Sequence, residues 1–237
     1  MMKTIAIAPM RNEGIRTAEV VRKFPLSIVD EILIVNDAST DDSPSQLAGT
    51  PATVLTLKHQ MGCGRAIREG FLYGLEKGYD IFIVLAGNGK DNPALIPQLV
   101  APIHAGKADF VQGSRYLPGG SAGGNMPLHR KFGTRAYSFL FSICTFQWIT
   151  DATNGFRAIR RSILEDKRID LSQEWLDGYA IESYLFVQAI RLGYRVAEVP
   201  VTKIYPSSRN GYTKMKPWGG WWNHFKPIPL VTLGIKK

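Results

Sequence analysis

Asp37 closes a run that reads Glu31-Ile-Leu-Ile-Val-Asn-Asp-Ala-Ser-Thr-Asp-Asp42. Its consecutive apolar residues predict a buried strand, and the abrupt change to polar and acidic residues marks that strand's carboxyl end. In sheets covered on both faces, ligands gather at such ends. An ionised carboxylate there only accepts hydrogen bonds, so it suits a planar N–H donor such as the edge of uracil or guanine. The competing reading is a turn in which Asp37, Ser39 and Asp41 satisfy their own backbone. A second break follows the apolar run Ile81–Leu85, where the chain continues Ala86-Gly-Asn-Gly-Lys-Asp-Asn-Pro93.

Between these breaks lies Gly62-Cys-Gly-Arg-Ala-Ile-Arg-Glu-Gly70. It is neither a dinucleotide fingerprint, which needs glycine where Ile67 stands, nor a P-loop, which needs a following Gly-Lys-Ser/Thr. The spacing instead predicts a tight turn at Gly64 into a helix whose first N–H groups could face an anion. Arg65 and Arg68 either add charge to that end or are simply solvated.

The elements that must hold these residues alternate. Strands are predicted near Thr4–Ala8, Ile32–Asn36, Thr53–Leu57, Ile81–Leu85, Asp109–Gly113 and Tyr194–Val201. Ile15, Ala18, Val21 and Phe24 recur at helical spacing, as do Ala66, Ile67, Gly70, Phe71, Gly74 and Leu75. Pro93 suits the first turn of another helix. Strand–helix–strand repetition predicts an α/β fold with a mostly parallel central sheet and helices on both faces.

The 237-residue chain suffices for one sizeable core, and no Pro/Gly/Ser-rich linker divides it. Cys63 and Cys144 have neither a disulfide framework nor zinc-ligand spacing, which fits a reduced, cytoplasmic setting. The opening apolar run is too short for a signal peptide. A formal net charge of +9 favours anionic partners. The basic residues are dispersed and lack nucleic-acid-binding motifs, so phosphorylated substrates or a membrane surface are preferred to nucleic acid.

The ordered set of motifs resembles the family 2 glycosyltransferases, closest to the dolichyl-phosphate mannose synthase branch with its GT-A fold. Beyond the two breaks, the resemblance is carried by Pro9-x-x-Asn12-Glu13, Gly113-Ser-Arg-Tyr-Leu-Pro-Gly-Gly120, Asp151-Ala-Thr-Asn-Gly-Phe-Arg157, Gly193–Pro200 and Gly211–Lys214. It implies a catalytic GT-A domain over residues 1–212 that binds a nucleotide-diphospho-sugar. Pro9, Asn12, Glu13 and Asp37 would hold base and ribose, with Gly64 and Asn88 also on the donor side. Arg115 would clamp a phosphate with its planar fork. Arg130, Lys131, Thr134 and Arg157 would serve an acceptor phosphate, with Asp151 near the same site.

One departure changes the chemistry. The family carries an Asp-x-Asp pair where this chain has Ala86 and Asn88, and Lys90 stands where mannose synthases have a glutamine ligand. Losing two carboxylates weakens any site for magnesium or manganese, leaving Asn88 and Asp91 as oxygen ligands. Lys90 can itself neutralise a diphosphate leaving group. The expected reaction is hexosyl transfer to a polyprenyl (dolichyl or undecaprenyl) phosphate, whose anionic oxygen needs no strong base. Transfer to a sugar hydroxyl, with Glu182 or Asp177 as base, is the alternative within enzymes. An inactive nucleotide-sugar-binding relative is the alternative outside them.

Ala136–Ile149 is too short and too polar to span a bilayer and reads as a core or interfacial helix. In residues 213–237, Trp218, Trp221, Trp222 and Phe225 lie among Lys214, Lys216 and Lys226, a combination suited to a headgroup interface on the cytoplasmic face of a membrane. The competing readings are packing on the domain or a homo-oligomer contact.

Overall fold

In the computed structural model, which describes residues 2–205, 225–232 and 234–235, the buried apolar runs become adjacent parallel strands. β1 (Thr4–Met10), β2 (Glu31–Asn36), β3 (Ala52–Thr56) and β4 (Ile81–Val84) lie in the order β3-β2-β1-β4. Their faces alternate with the two-residue period of a strand. Ile5, Ile7, Leu33, Val35, Phe82 and Val84 enter one core. Ala6, Ala8, Ile32, Ile34, Ile81 and Ile83 enter the other. Both faces are therefore buried, which is why these strands read as unbroken apolar runs.

Helix α1 (Gly14–Val21) joins β1 to β2, and α2 (Cys63–Glu76) joins β3 to β4. Asn92 caps the turn at Pro93 by accepting the Ala94 N–H at 3.2 Å, and α3 (Ile96–His104) follows. The sheet continues through β5 (Phe110–Ser114), which has β7 (Arg157–Arg160) and β8 (Val196–Pro200) as neighbours. The expectation of a mostly parallel sheet holds, with one insertion. β7 runs antiparallel to both β4 and β5 and separates them. A second, two-stranded sheet pairs β6 (Ser121–Gly124) with β9 (Thr202–Tyr205) in parallel.

Helix α4 (Leu128–Thr145) follows β6, the short α5 (Arg161–Leu164) follows β7, and α6 (Ala180–Arg191) precedes β8. The last element, α7 (Pro227–Thr232), packs on α4 and α6 with Ile228 and Val231 buried. Phe225 meets Tyr137 edge-on at 4.8 Å, and the Lys226 ammonium lies 5.4 Å from the Trp175 ring centre. This end of the 213–237 segment thus belongs to the core. Trp218, Trp221 and Trp222, with Lys214 and Lys216, lie outside the described residues. Among the described residues no helix is long and apolar enough to cross a membrane.

Candidate active site

Strand order decides where a site can form. The chain leaves β1 toward β2 on one side and later returns to place β4 on the other, so the connections diverge at the carboxyl ends of β1 and β4. That divergence opens a crevice. A cleft of about 790 Å³ occupies it, walled by Pro9–Arg16 at and beyond the end of β1, by Asp37 and Asp41–Ser43 after β2, and by Ala86–Asn88 and Lys90 after β4.

Asp37 is buried at one wall. Its Oδ1 accepts the Met61 N–H at 2.7 Å and its Oδ2 the Gly62 N–H at 3.1 Å. A carboxylate has about four acceptor positions, so two contacts leave capacity for a base edge while tying the β2 turn to the start of α2. Arg11 fixes the same turn, donating to the carbonyls of Asp37 and Ala38 at 2.7 Å each. Asn12, at φ 50°, locks onto Thr40 by accepting its N–H at 2.9 Å and donating to its hydroxyl at 3.2 Å. Glu13 lines the cleft, and its carbonyl accepts the first turn of α1 through Thr17 N–H at 2.9 Å.

Gly64 does not present an anion site. Its N–H donates to the Gly178 carbonyl at 2.6 Å, and Arg65 N–H donates to the Asp177 carbonyl at 3.0 Å. A Cβ on Gly64 would lie 2.0 Å from the Leu176 carbonyl oxygen. The glycine permits close approach of the 176–178 loop, which brings Gly178 and Tyr179 to the cleft wall. Nor do the arginines of α2 face a ligand. Arg65 pairs with Glu69 at 2.6 Å, while Arg68 pairs with Asp177 and donates to the Leu171 carbonyl at 2.8 Å.

Lys90 reaches the cleft from the β4 side and is largely buried. Burial, reinforced by the nearby charges of Arg130 and Lys203, pulls its pKa down to about 8. An ammonium so poorly solvated gains strongly from an entering anion. Its backbone is pinned by β9, with Ile204 N–H donating to the Lys90 carbonyl at 2.9 Å.

Asp91 points the other way. Its Oδ1 accepts the Lys203 ammonium at 2.6 Å and its Oδ2 the Ala86 N–H at 3.0 Å. Lys203 also donates to Asn154 Oδ1 at 3.0 Å. The Asn88 side-chain oxygen accepts Lys90 N–H at 3.3 Å. These groups do not fit a resident divalent ion. The Ala86 side chain has no ligand atom, an ammonium holds the Asp91 carboxylate, and no cluster of three His, Cys, Asp or Glu occurs among the described residues. The expectation that Asp91 serves as a metal ligand is accordingly revised: its carboxylate is the partner of Lys203.

Arg115 and Asp151, expected at the phosphates, form a buried pair. The Arg115 Nε and Nη2 reach the two Asp151 oxygens at 2.7 Å each, and Arg115 N–H adds a third bond at 3.0 Å. Nη2 also donates to Thr153 Oγ1 at 2.6 Å, and Nη1 to the Tyr205 hydroxyl. Burial alone would raise the Asp151 carboxyl, but the Arg115 charge and hydrogen bonds outweigh it and hold the carboxyl below the usual range. With its donors engaged inside the protein, Arg115 is placed as a brace, not an open phosphate clamp.

The Tyr205 ring that Arg115 holds carries the Arg130 guanidinium at 5.5 Å. Arg157 is buried as well, donating to the Glu182 and Asn154 carbonyls. That position also separates it from an acceptor. Thr134 is buried, sharing a 2.6 Å hydrogen bond with the Tyr116 hydroxyl, whereas Lys131 is exposed. Of the expected acceptor set, Lys131 keeps an exposed charge and Arg130 a half-buried one.

Comparison with known proteins agrees with this geometry. The Glycosyl transferase family 2 profile matches residues 6–167. The chain belongs to that family. The undecaprenyl-phosphate mannosyltransferase of Micrococcus luteus is 32% identical over 214 residues, 85% of this glycosyltransferase and 83% of that protein. The polyprenol monophosphomannose synthase of Mycolicibacterium smegmatis is 31% identical over 220 residues, covering 90% and 81%. A crystal structure of glucosyl-3-phosphoglycerate synthase from Mycobacterium tuberculosis, in complex with Mn2+, UDP and glucosyl-3-phosphoglycerate, superposes with a TM-score of 0.71 at 18% identity. It covers 100% of this chain and 81% of that one. That likeness establishes the GT-A fold.

Reading the glycosyltransferase's sequence missed Lys203, Tyr179 and Arg11. None of them left a clear signal. From Val201 to Tyr205 burial alternates, with Val201, Lys203 and Tyr205 inward, but the types Val-Thr-Lys-Ile-Tyr put a charge inward and Ile204 outward, so they do not show the period-two pattern.

Proposed function

We propose that this glycosyltransferase moves a hexose, with inversion, from a nucleoside-diphosphate sugar to a polyprenyl phosphate at the cytoplasmic face of a membrane. Residues 1–212 form the catalytic domain in this reading. The observation that carries it is a buried cation, Lys90, in a cleft that also holds Asp37. Lys90 lines that cleft, and Arg130 lies close enough for its charge to depress the Lys90 pKa. The named activities of the two sequence relatives support the acceptor class.

An acceptor phosphate oxygen attacks the anomeric carbon from the side opposite the diphosphate. The new carbon–oxygen bond forms as the bond to the diphosphate breaks, and the nucleoside diphosphate departs with the electron pair. A phosphate monoester is already anionic at neutral pH, so no proton need be removed from it. The two carboxylates suggested as bases for a hydroxyl acceptor are otherwise engaged. Asp177 pairs with Arg68, and Glu182 lies 3.7 Å from the Arg157 guanidinium. Charge on the departing diphosphate falls to Lys90 and Arg130, preorganised by Tyr205 and the Arg115–Asp151 brace. Such fixed charges act at the transition state without reorganisation.

The test is release of nucleoside diphosphate by the purified protein, with and without polyprenyl phosphate. Release should require the lipid phosphate and persist in chelator. Release that instead requires a saccharide acceptor would overturn the acceptor assignment. Complete loss in chelator, restored by manganese, would overturn the lysine role.

A further inference from the structure

Helix α4 has two unlike faces. Thr134, Tyr137, Ser138, Phe141 and Ser142 point into the protein. The opposite face carries Leu128, Phe132, Phe139 and Ile143 at helical spacing, and Phe146 and Trp148 extend it past the helix end. All six are exposed, Phe132 at 73%, Trp148 at 72% and Phe146 at 97%. Phe146 also sits at φ 54°, a left-handed conformation uncommon for a bulky non-glycine residue. Neither that backbone nor that exposure is offset by packing within the described protein. A contiguous apolar strip of this kind marks an interaction surface.

We infer that the outer face of α4, with Phe146 and Trp148, is the surface by which this enzyme docks onto an anionic membrane. Charge selects a membrane over a second copy. Exposed Lys131 and Arg135 flank the strip, so pairing two copies would bring like charges together in a chain of net charge +9. Anionic headgroups complement the same cations, and an apolar face edged by Lys and Arg is the pattern of a helix lying in the interface plane.

Position strengthens the inference. Arg130, the third residue of α4, rests over the Tyr205 ring, and its charge acts together with that of Lys203 on Lys90, which lines the cleft. A membrane against α4 would therefore present a lipid phosphate beside the cleft. This use of the surface rests on the polyprenyl-phosphate reading; the docking itself does not.

Sedimentation with vesicles of phosphatidylcholine and phosphatidylglycerol, without donor or acceptor, tests docking alone. The full-length protein should bind at low salt and less at high salt. The triple variant Phe139→Ser, Phe146→Ser, Trp148→Ser should bind roughly ten-fold or more weakly, with an unchanged melting temperature. If the triple variant is misfolded, Phe146→Glu alone should still weaken binding several-fold, because that side chain contacts almost nothing. Turnover of a short, water-soluble prenyl phosphate should be unchanged in these variants, while turnover of vesicle-borne polyprenyl phosphate falls. Loss of both activities in the parent, with vesicle binding intact, would refute the acceptor and leave the docking surface standing. Unchanged vesicle binding in the variants would overturn the inference. So would binding that follows Trp218, Trp221 and Trp222→Ser instead, or a parent that dimerises through α4 and ignores vesicles.

Discussion

Replacing Lys90 with glutamine should make the protein more stable and a poorer enzyme. In the unliganded cleft the ammonium is disfavoured by burial and by Arg130 and Lys203, which together move its pKa from 10.5 to about 8. A displacement of that size corresponds to roughly 3 kcal/mol, and solvent relaxation reduces the recoverable part to about 1–3 kcal/mol. The sign follows from linkage. Below pH 8 the lysine is charged in both folded and unfolded states, so the folded state bears the full cost. Between about 8 and 10.5 the folded state loses the proton first and the cost fades.

Lys90→Gln should therefore raise the melting temperature at neutral pH by roughly 2–12 °C in a chain of this size. That advantage should shrink as pH rises. Activity should move the opposite way. Parent kcat/KM should fall about ten-fold per pH unit above about 8 as the ammonium is lost. The variant should lack that limb and lose roughly 10²–10³ in kcat, the scale of removing one oxyanion donor. Differential scanning calorimetry and pH–rate profiles read both effects. A variant that melts lower than the parent at pH 7, or keeps its turnover, would refute the reasoning.

Asp37→Ala should weaken nucleotide binding by roughly 1.5–3 kcal/mol, measured by calorimetry, and should also lower the melting temperature because the Met61 and Gly62 amides lose their acceptor. Equal affinity would remove Asp37 from the donor site. Lys203→Met leaves the Asp91 carboxylate buried and unpaired, so it should cost about 3–5 kcal/mol in denaturant unfolding, with partial recovery in the double variant Lys203→Met, Asp91→Asn. A single variant as stable as the parent would show that the pair is dispensable. Ala86→Asp with Asn88→Asp should raise manganese affinity above that of the parent, visible as a larger metal-dependent rise in melting temperature; an equal rise in both proteins would show that the added carboxylates hold no metal.

Much of this molecule was legible because buried parallel strands announce themselves. Glu31–Asn36 and Ile81–Val84 are apolar runs ending in polar loops, and those ends are where the cleft lies. β7 escaped because Arg157 and Arg160 bracket only two apolar residues. Its burial depends on Glu182 and Asn154, partners set by the tertiary fold. β6, Ser-Ala-Gly-Gly, has no strand signature at all.

Pairing was the harder problem. Arg115 and Asp151 stand 36 residues apart, and local residue types cannot tell a bidentate brace from a phosphate clamp. Gly64 read as an anion-facing turn because its N–H groups were counted without the 176–178 loop that fills them. The aromatic stripe near the C-terminus allowed either a membrane face or packing on the domain, and its one described member, Phe225, lies against Tyr137. The described stripe that does remain exposed is on α4. An amphipathic pattern gives a face, and only packing tells which way it turns.

The central claim is transfer of a sugar to a lipid phosphate, and one measurement addresses it most directly. The purified protein is incubated with polyprenyl phosphate and, in turn, UDP-, GDP- and dTDP-sugars labelled in the hexose, with chelator present, and the label is followed into the organic phase. One donor class should transfer its label to a lipid-extractable hexosyl phosphate, with one nucleoside diphosphate released per sugar moved. A donor that binds and raises the melting temperature, yet never passes its label to the lipid with or without added manganese, would contradict that claim.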